Sequence, residues 1–324
     1  MRVLSGIQPT GLIHIGNYLG AIRQFLELQE KNECLFFIAD LHTLTEPYDI
    51  EDFQKNILDA TISYLAAGLD PKKCILFIQS QIKEHAELAW LLSTVTPVGD
   101  LLRMTQYKEK SRQFKKAVNA GLLNYPILMA ADILLYQAEI VPVGKDQQQH
   151  VELARTIARK FNSKFSETFK IPEAQILKFG AKIMALDNPK KKMAKSSPEG
   201  CLFIFDEPDI IRKKIMAAVT DPGKEIKFDL RKKPGISNLL IIYSLFSGRS
   251  IKKLERDFKE RGYETFKKSL AKLLISYLEP FHKKRKELLK REVYVKEILE
   301  KGKNQAEKIA KLTMVDVRRK MGLI

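Results

Sequence analysis

"RVLSGIQPTGLIHIGNYLGAI", residues 2–22, decides how this chain begins to fold. "RVLSGI" has the apolar, β-branched character of a short strand. Pro9, Thr10 and Gly11 make a turn, because proline presets one backbone angle and glycine accepts almost any. From Gly16 onward Leu19, Ile22 and Leu26, with Phe25 beside them, recur at helical spacing. The pattern repeats downstream. "CLFFIAD" (34–40) precedes a helical "EDFQKNILDATISYLAAGL" (51–69), and "CILFIQS" (74–80) precedes "EHAELAWLLSTV" (84–95). "EIVPVG" (139–144) then runs into "KDQQQHVELARTIARKF" (145–161). Strands this apolar, each followed by a helix, predict a parallel sheet covered on both faces. Ligands of such sheets sit at the carboxyl ends of the strands.

Past about residue 200 the strand signals stop. "DIIRKKIMAAV", "GISNLLIIYSLF", "IKKLERDFKE", "ETFKKSLAKLLISYLEPFHKKRKELLK" and "VYVKEILEKGKNQAEKIAKLTMVDVRRKM" read as successive helices. The expected class is therefore α/β. A Rossmann-like parallel-sheet domain covers 1–190 and an all-α helical domain covers 200–290. A C-terminal helical segment, 291–324, packs back on the first domain.

Charge divides the chain at the same place. Residues 1–189 hold 21 basic and 21 acidic residues, whereas 190–324 hold 35 and 18, so the whole net charge of +17 lies in the second part. That asymmetry points to a polyanionic partner, with nucleic acid favoured over a membrane surface. The chain is long enough for two domains, and 45% hydrophobic residues is an ordinary globular composition. "MRVLSGIQPTG" lacks the apolar core of a secretory leader, no run reaches the length of a membrane span, and Cys34, Cys74 and Cys201 are scattered. A cytoplasmic protein without a cysteine-based metal site is expected.

Three junctions carry candidate chemistry. At the first, a helix N-terminus near Gly16 offers free N–H groups to an anion, with His14 and Asn17 three residues apart on one side. Gly16 has no side chain to keep a flat base off the backbone. A plain helix cap explains the same four residues. At the second, Asp132 is the only charged residue between Lys116 and Glu139. Pro126 suits the first turn of its helix. Tyr125, Met129 and Asp132 then share one helix face and could line a pocket for an apolar ligand with one N–H or O–H. A core helix whose Asp meets a distant cation accounts for them equally well. At the third, Gly144 closes a strand, and Asp146 and Gln147 open the next helix. Asp146 could be a ligand contact or only a cap. His42, just past "CLFFIAD", reaches the same edge. Lastly, "PKKKMAKSSPEG" (189–200) reads either as a basic linker or as a loop that grips triphosphate.

Together these pieces resemble a class I aminoacyl-tRNA synthetase. "HIGN" at 14–17 is similar to that superfamily's HIGH signature, and "KMAKS" at 192–196 to its KMSKS loop. "GIQPTGLIHIGNYLGAI", "DLHTLT", "RMTQYKEKS", "LMAADILLY" and "VPVGKDQQQHVELAR" resemble the bacterial-type tryptophanyl-tRNA synthetases more closely. The resemblance implies activation of tryptophan by ATP, assisted by Mg²⁺, and transfer to tRNA(Trp) by a homodimer. It places Gln8, Pro9, Thr10, Gly16 and Asn17 on ATP, with Gly144, Lys145 and Asp146 bordering it and Ile183 covering the adenine. Lys192 and Lys195, spaced by Met193 and Ala194 and followed by Ser196, would hold the triphosphate. These two lysines form the catalytic set with His14 and Asn17, and Lys110 is a further phosphate ligand. Asp132 would accept the indole N–H, in a pocket completed by Tyr125, Met129, Gln147, His42 and Val143. Leu4 stands where many relatives carry Phe. Asn17 replaces the final His of HIGH, and Ala194 the serine of KMSKS. No cysteine follows Cys201, so the iron–sulfur cluster of some relatives is not expected. The competing readings are a tyrosyl enzyme and a non-catalytic, synthetase-like RNA-binding protein.

Overall fold

The structure, a computed structural model, describes residues 1–9, 12–113, 118–176, 183–195 and 197–324, without the side chains of Gln113 and Asp146. Its centre is a five-stranded sheet of β1 (Arg2–Ile7), β2 (Glu33–Ile38), β3 (Cys74–Ile78), β4 (Ile140–Val143) and β5 (Glu173–Ile176). The strands are all parallel, in the order β3-β2-β1-β4-β5. The chain winds outward from β1 in one direction and then, from β4, in the other. β1 and β4 therefore flank the switch point where a crevice opens.

Side-chain alternation along β2 shows why the sheet is covered twice. Leu35 and Phe37 join a core with the helix Ala120–Leu135, while Cys34, Phe36 and Ile38 join another with the helix Ile50–Ala66. A third core ties Ile13, Ile15, Leu19 and Ile22 to the helices Pro234–Ser247 and Gly262–Leu289. The last helix, Glu292–Lys320, lies along edge strand β3 and covers the unpaired side that such a strand leaves open. Its Gly302 permits this, since a Cβ there would fall 1.9 Å from the Leu76 carbonyl oxygen.

Three details differ from the sequence expectation. The helix carrying Asp132 starts at Ala120, six residues before Pro126, because the Asn119 side chain accepts from the Leu122 N–H at 2.8 Å and caps it there. Pro126 thus lies in the helix interior, where it removes one backbone hydrogen bond. The helix after Asn17 is not continuous α but contains a π-helical turn, Tyr18–Ile22. Strand β5, "EAQI", has little β propensity, and four residue pairs with β4 hold it in the sheet.

Candidate active site

Divergence of β1 and β4 leaves a cavity of about 670 Å³ at the carboxyl ends of the strands. β1 contributes Leu4 and its following residue Gln8, β4 contributes Val143 and Gly144, and the helix Ala120–Leu135 contributes Tyr125, Met129 and Asp132. His42, Gln147, Asn17, Lys110 and Lys195 complete the wall from five further segments. Leu4 leaves no aromatic ring on β1, but Phe37 supplies one from β2. Its ring packs over Gly6, where a Cβ would lie 2.8 Å from it, and lines the cavity.

Asp132 forms the floor and is 1% exposed. Its Oδ2 accepts from His42 Nε2 at 2.7 Å. Its Oδ1 accepts from His85 Nδ1 at 2.6 Å and Gln79 Nε2 at 2.8 Å. Burial alone would raise its pKa, but the hydrogen bonds from His42 and His85 outweigh this and hold it at about 2. The carboxylate is therefore ionised and acts only as an acceptor at neutral pH. Asp40, at the end of β2, brings the donors together. It accepts from the Ser80 N–H at 3.0 Å and from the Ser80 hydroxyl, pinning the segment that carries His42 to the one that carries Gln79.

A second group is built from the two short motifs. His14 Nδ1 accepts from the Asn17 N–H at 3.3 Å, and Asn17 Oδ1 accepts from the His14 N–H at 3.4 Å, a reciprocal cap. His14 spends Nδ1 on the helix, so only Nε2–H can point elsewhere. Burial, then the positive charges of Lys195 and Lys192, lower its pKa to about 4, so it is neutral at pH 7. Both lysines are brought close by backbone pairing. Met193 N–H donates to the Ile183 carbonyl at 2.9 Å and Ala185 N–H to that of Lys191 at 2.9 Å. Ile15 N–H donates to Leu202 and Ile204 N–H to Ile13, which closes the loop against the first motif.

The remaining expected residues fall as follows. Lys195 lines the cavity and burial lowers its pKa, whereas Lys192 is exposed beside it. Met193 is buried in the apolar core and anchors the loop, and Ala194 is exposed. Ile183 lies 3.7 Å from where a Gly16 Cβ would be, so these two residues pack beside each other. Gln8 is exposed, Pro9 is buried, and Lys145 is exposed at the mouth. Lys110 pairs with Glu46 and sits 5.2 Å over the Tyr125 ring, so a phosphate would have to displace Glu46. Tyr125 shares a hydrogen bond of 2.9 Å with His150 Nε2, leaving its ring edge and face for the cavity. Thr10, Ser196 and the Asp146 side chain lie outside the described residues. Sequence reasoning missed Gln79, His85, Tyr136, His150 and Phe37. Phe37 and Gln79 fall in the apolar strand runs "CLFFIAD" and "CILFIQS", and His85, Tyr136 and His150 in helical stretches, with no spacing that joins any of them to the site.

A five-stranded parallel α/β sheet with a capped helix start after β1 and a basic loop closed against it defines an enzyme of the class I synthetase fold. The model of the tRNA synthetases class I (W and Y) matches residues 1–279, and the chain belongs to that family. It is 53% identical to the tryptophan–tRNA ligase of Caldanaerobacter subterraneus subsp. tengcongensis, covering 100% of this chain and 98% of that one. Against the Helicobacter pylori tryptophan–tRNA ligase the identity is 49%, over 100% and 99%. The crystal structure of Campylobacter jejuni tryptophanyl-tRNA synthetase complexed with ADP and tryptophan superposes with a TM-score of 0.87 at 41% identity. That match covers 99% of this chain and 100% of the other.

Proposed function

We propose that this chain is an ATP-dependent tryptophan–tRNA ligase. It joins L-tryptophan to AMP with release of pyrophosphate and passes the aminoacyl group to the 3′ end of tRNA(Trp). The observation that carries the reading is the ionised, buried Asp132 in a cavity whose wall also includes Asn17 and Lys195. The indole N–H is donor-only and needs such an acceptor. A tryptophan carboxylate oxygen attacks the α-phosphorus, the bond to the bridging oxygen breaks, and its electrons leave with pyrophosphate. Asn17, the N–H groups of its helix, Lys192 and Lys195 stabilise the charge that develops on the phosphates, while neutral His14 holds the helix start in place. Gln8, Gly16, Gly144 and Ile183 bound the nucleotide.

Magnesium bound to ATP would neutralise charge on the triphosphate. Among the described residues no group of three His, Cys, Asp or Glu could hold a metal ion. Cytoplasmic protein synthesis, a homodimer and anticodon reading by residues 200–290 complete the proposal, the last supported by the basic excess of 190–324. ATP–pyrophosphate exchange with tryptophan and tyrosine separately tests the reading. Tryptophan-dependent exchange is expected, and exchange with tyrosine alone would overturn it.

A further inference from the structure

Behind Asp132 lies a group of polar side chains that touches no part of the cavity. Gln79, His85 and Tyr136 are each fully buried. None of the three lines the cavity, yet two of them end on the same carboxylate oxygen, Oδ1. An ionised carboxylate oxygen takes two donors comfortably, so Oδ1 is saturated from behind. Oδ2 holds only His42, which itself borders the cavity, and so it keeps one lone pair for a ligand. The chain of contacts continues one residue further. His85 Nε2 lies 2.8 Å from Tyr136 Oη. Burial raises the pKa of that phenol, so it keeps its hydrogen. Oδ1 of the ionised Asp132 can only accept, so the His85 hydrogen is on Nδ1, and Nε2 of the neutral imidazole accepts from the Tyr136 O–H. Gln79 shows what this arrangement gives up. Its Oε1 is buried with no hydrogen-bond partner among the described residues, while its Nε2 is turned to the carboxylate.

We infer that His85, held at Nε2 by Tyr136 and helped by Gln79, is a positioning residue that fixes Asp132 with one free acceptor lobe aimed at the ring N–H of the amino acid. The inference rests on the tryptophan reading of the cavity and adds to it the residues that make Asp132 selective. A carboxylate free to rotate would accept from water or settle on its buried partners. A pinned one presents a single acceptor in one direction, so a ligand without a donor there leaves a buried charge unpaired.

The test compares tryptophan with β-(3-benzothienyl)alanine, which has sulfur in place of the ring N–H, in ATP–pyrophosphate exchange. Wild type, Tyr136→Phe, His85→Ala and His85→Asn are measured, with thermal unfolding as a check on folding. The wild-type preference for tryptophan is expected to shrink about 5-fold in Tyr136→Phe and 30-fold or more in His85→Ala. The change should appear in kcat/KM for tryptophan, with KM for ATP unchanged. His85→Asn, whose amide nitrogen can reach toward Oδ1, should recover part of the preference. Equal losses for both amino acids, or an unchanged preference in folded variants, would overturn the inference while leaving the tryptophan reading intact. A wild type without exchange on tryptophan would overturn both.

Discussion

Asp132 shows how one buried charge can be both affordable and selective. Three donors compensate its desolvation, and the same three leave room for only one more. Asp132→Asn keeps the volume but turns one oxygen into a donor, so an N–H must face His42, His85, Gln79 or the ligand. Steady-state exchange should show kcat/KM for tryptophan reduced on the order of 100–1000-fold with KM for ATP little changed. Activity within threefold of wild type would remove Asp132 from recognition. His14 gives a second residue-scale prediction. Its folded pKa of about 4 lies below the ordinary histidine value of 6.5. Between those values the unfolded chain binds a proton that the native state refuses, so stability is complete above pH 6.5 and declines as pH falls toward 4. Replacing His14 by Asn should flatten the pH dependence of unfolding in that window by up to about 1.4 kcal/mol per pH unit. Identical slopes for the two proteins would mean that His14 titrates normally in the fold.

Among elements, the long C-terminal helix illustrates a contact that reverses a propensity argument. Gly→Ala inside a helix ordinarily gains about 1 kcal/mol. At Gly302 the added Cβ would sit 1.9 Å from the oxygen and 2.7 Å from the carbon of the Leu76 carbonyl, both backbone atoms of β3. Neither can move without parting helix from strand, so Gly302→Ala should cost about 2–3 kcal/mol net in denaturant unfolding. Gly20→Ala, where a Cβ meets nothing within 4 Å, should be neutral or better, and a similar result at Gly302 would mean the helix does not rest on the strand. The elements themselves were largely legible. Apolar strands and periodic helices announce β1 to β4 and every helix after residue 200, because each signal is local. β5 was not, since its order comes from its partner and not from its own residues. The site divided in the same way. Tyr125, Met129 and Asp132 share a helix face and could be grouped from spacing. His42, Gln79 and His85 reach Asp132 across 90, 53 and 47 residues, and only tertiary packing brings them there.

For the whole molecule, the uneven charge separates two chemistries that one chain must perform. The sheet half is balanced, and its cavity is an open crevice lined by buried, hydrogen-bonded groups such as Asp132. The entire +17 belongs to residues 190–324. There, Lys224, Lys227, Lys252, Arg256 and Lys259 share a groove with Glu225, Glu255 and Glu260, so the surface is positive but not uniformly so. An RNA held by such a face releases counterions on binding, and its affinity falls steeply with salt, whereas a buried contact is screened far less. Raising salt from about 50 to 200 mM should therefore weaken KM for tRNA on the order of 100-fold while tryptophan-dependent pyrophosphate exchange changes less than about threefold. Lys252→Glu with Lys259→Glu should lower the slope of log KM for tRNA against log salt by about two, at unchanged exchange activity. If those variants keep the wild-type slope, the groove lies off the RNA path. If exchange and charging respond to salt alike, the charge asymmetry serves something other than tRNA.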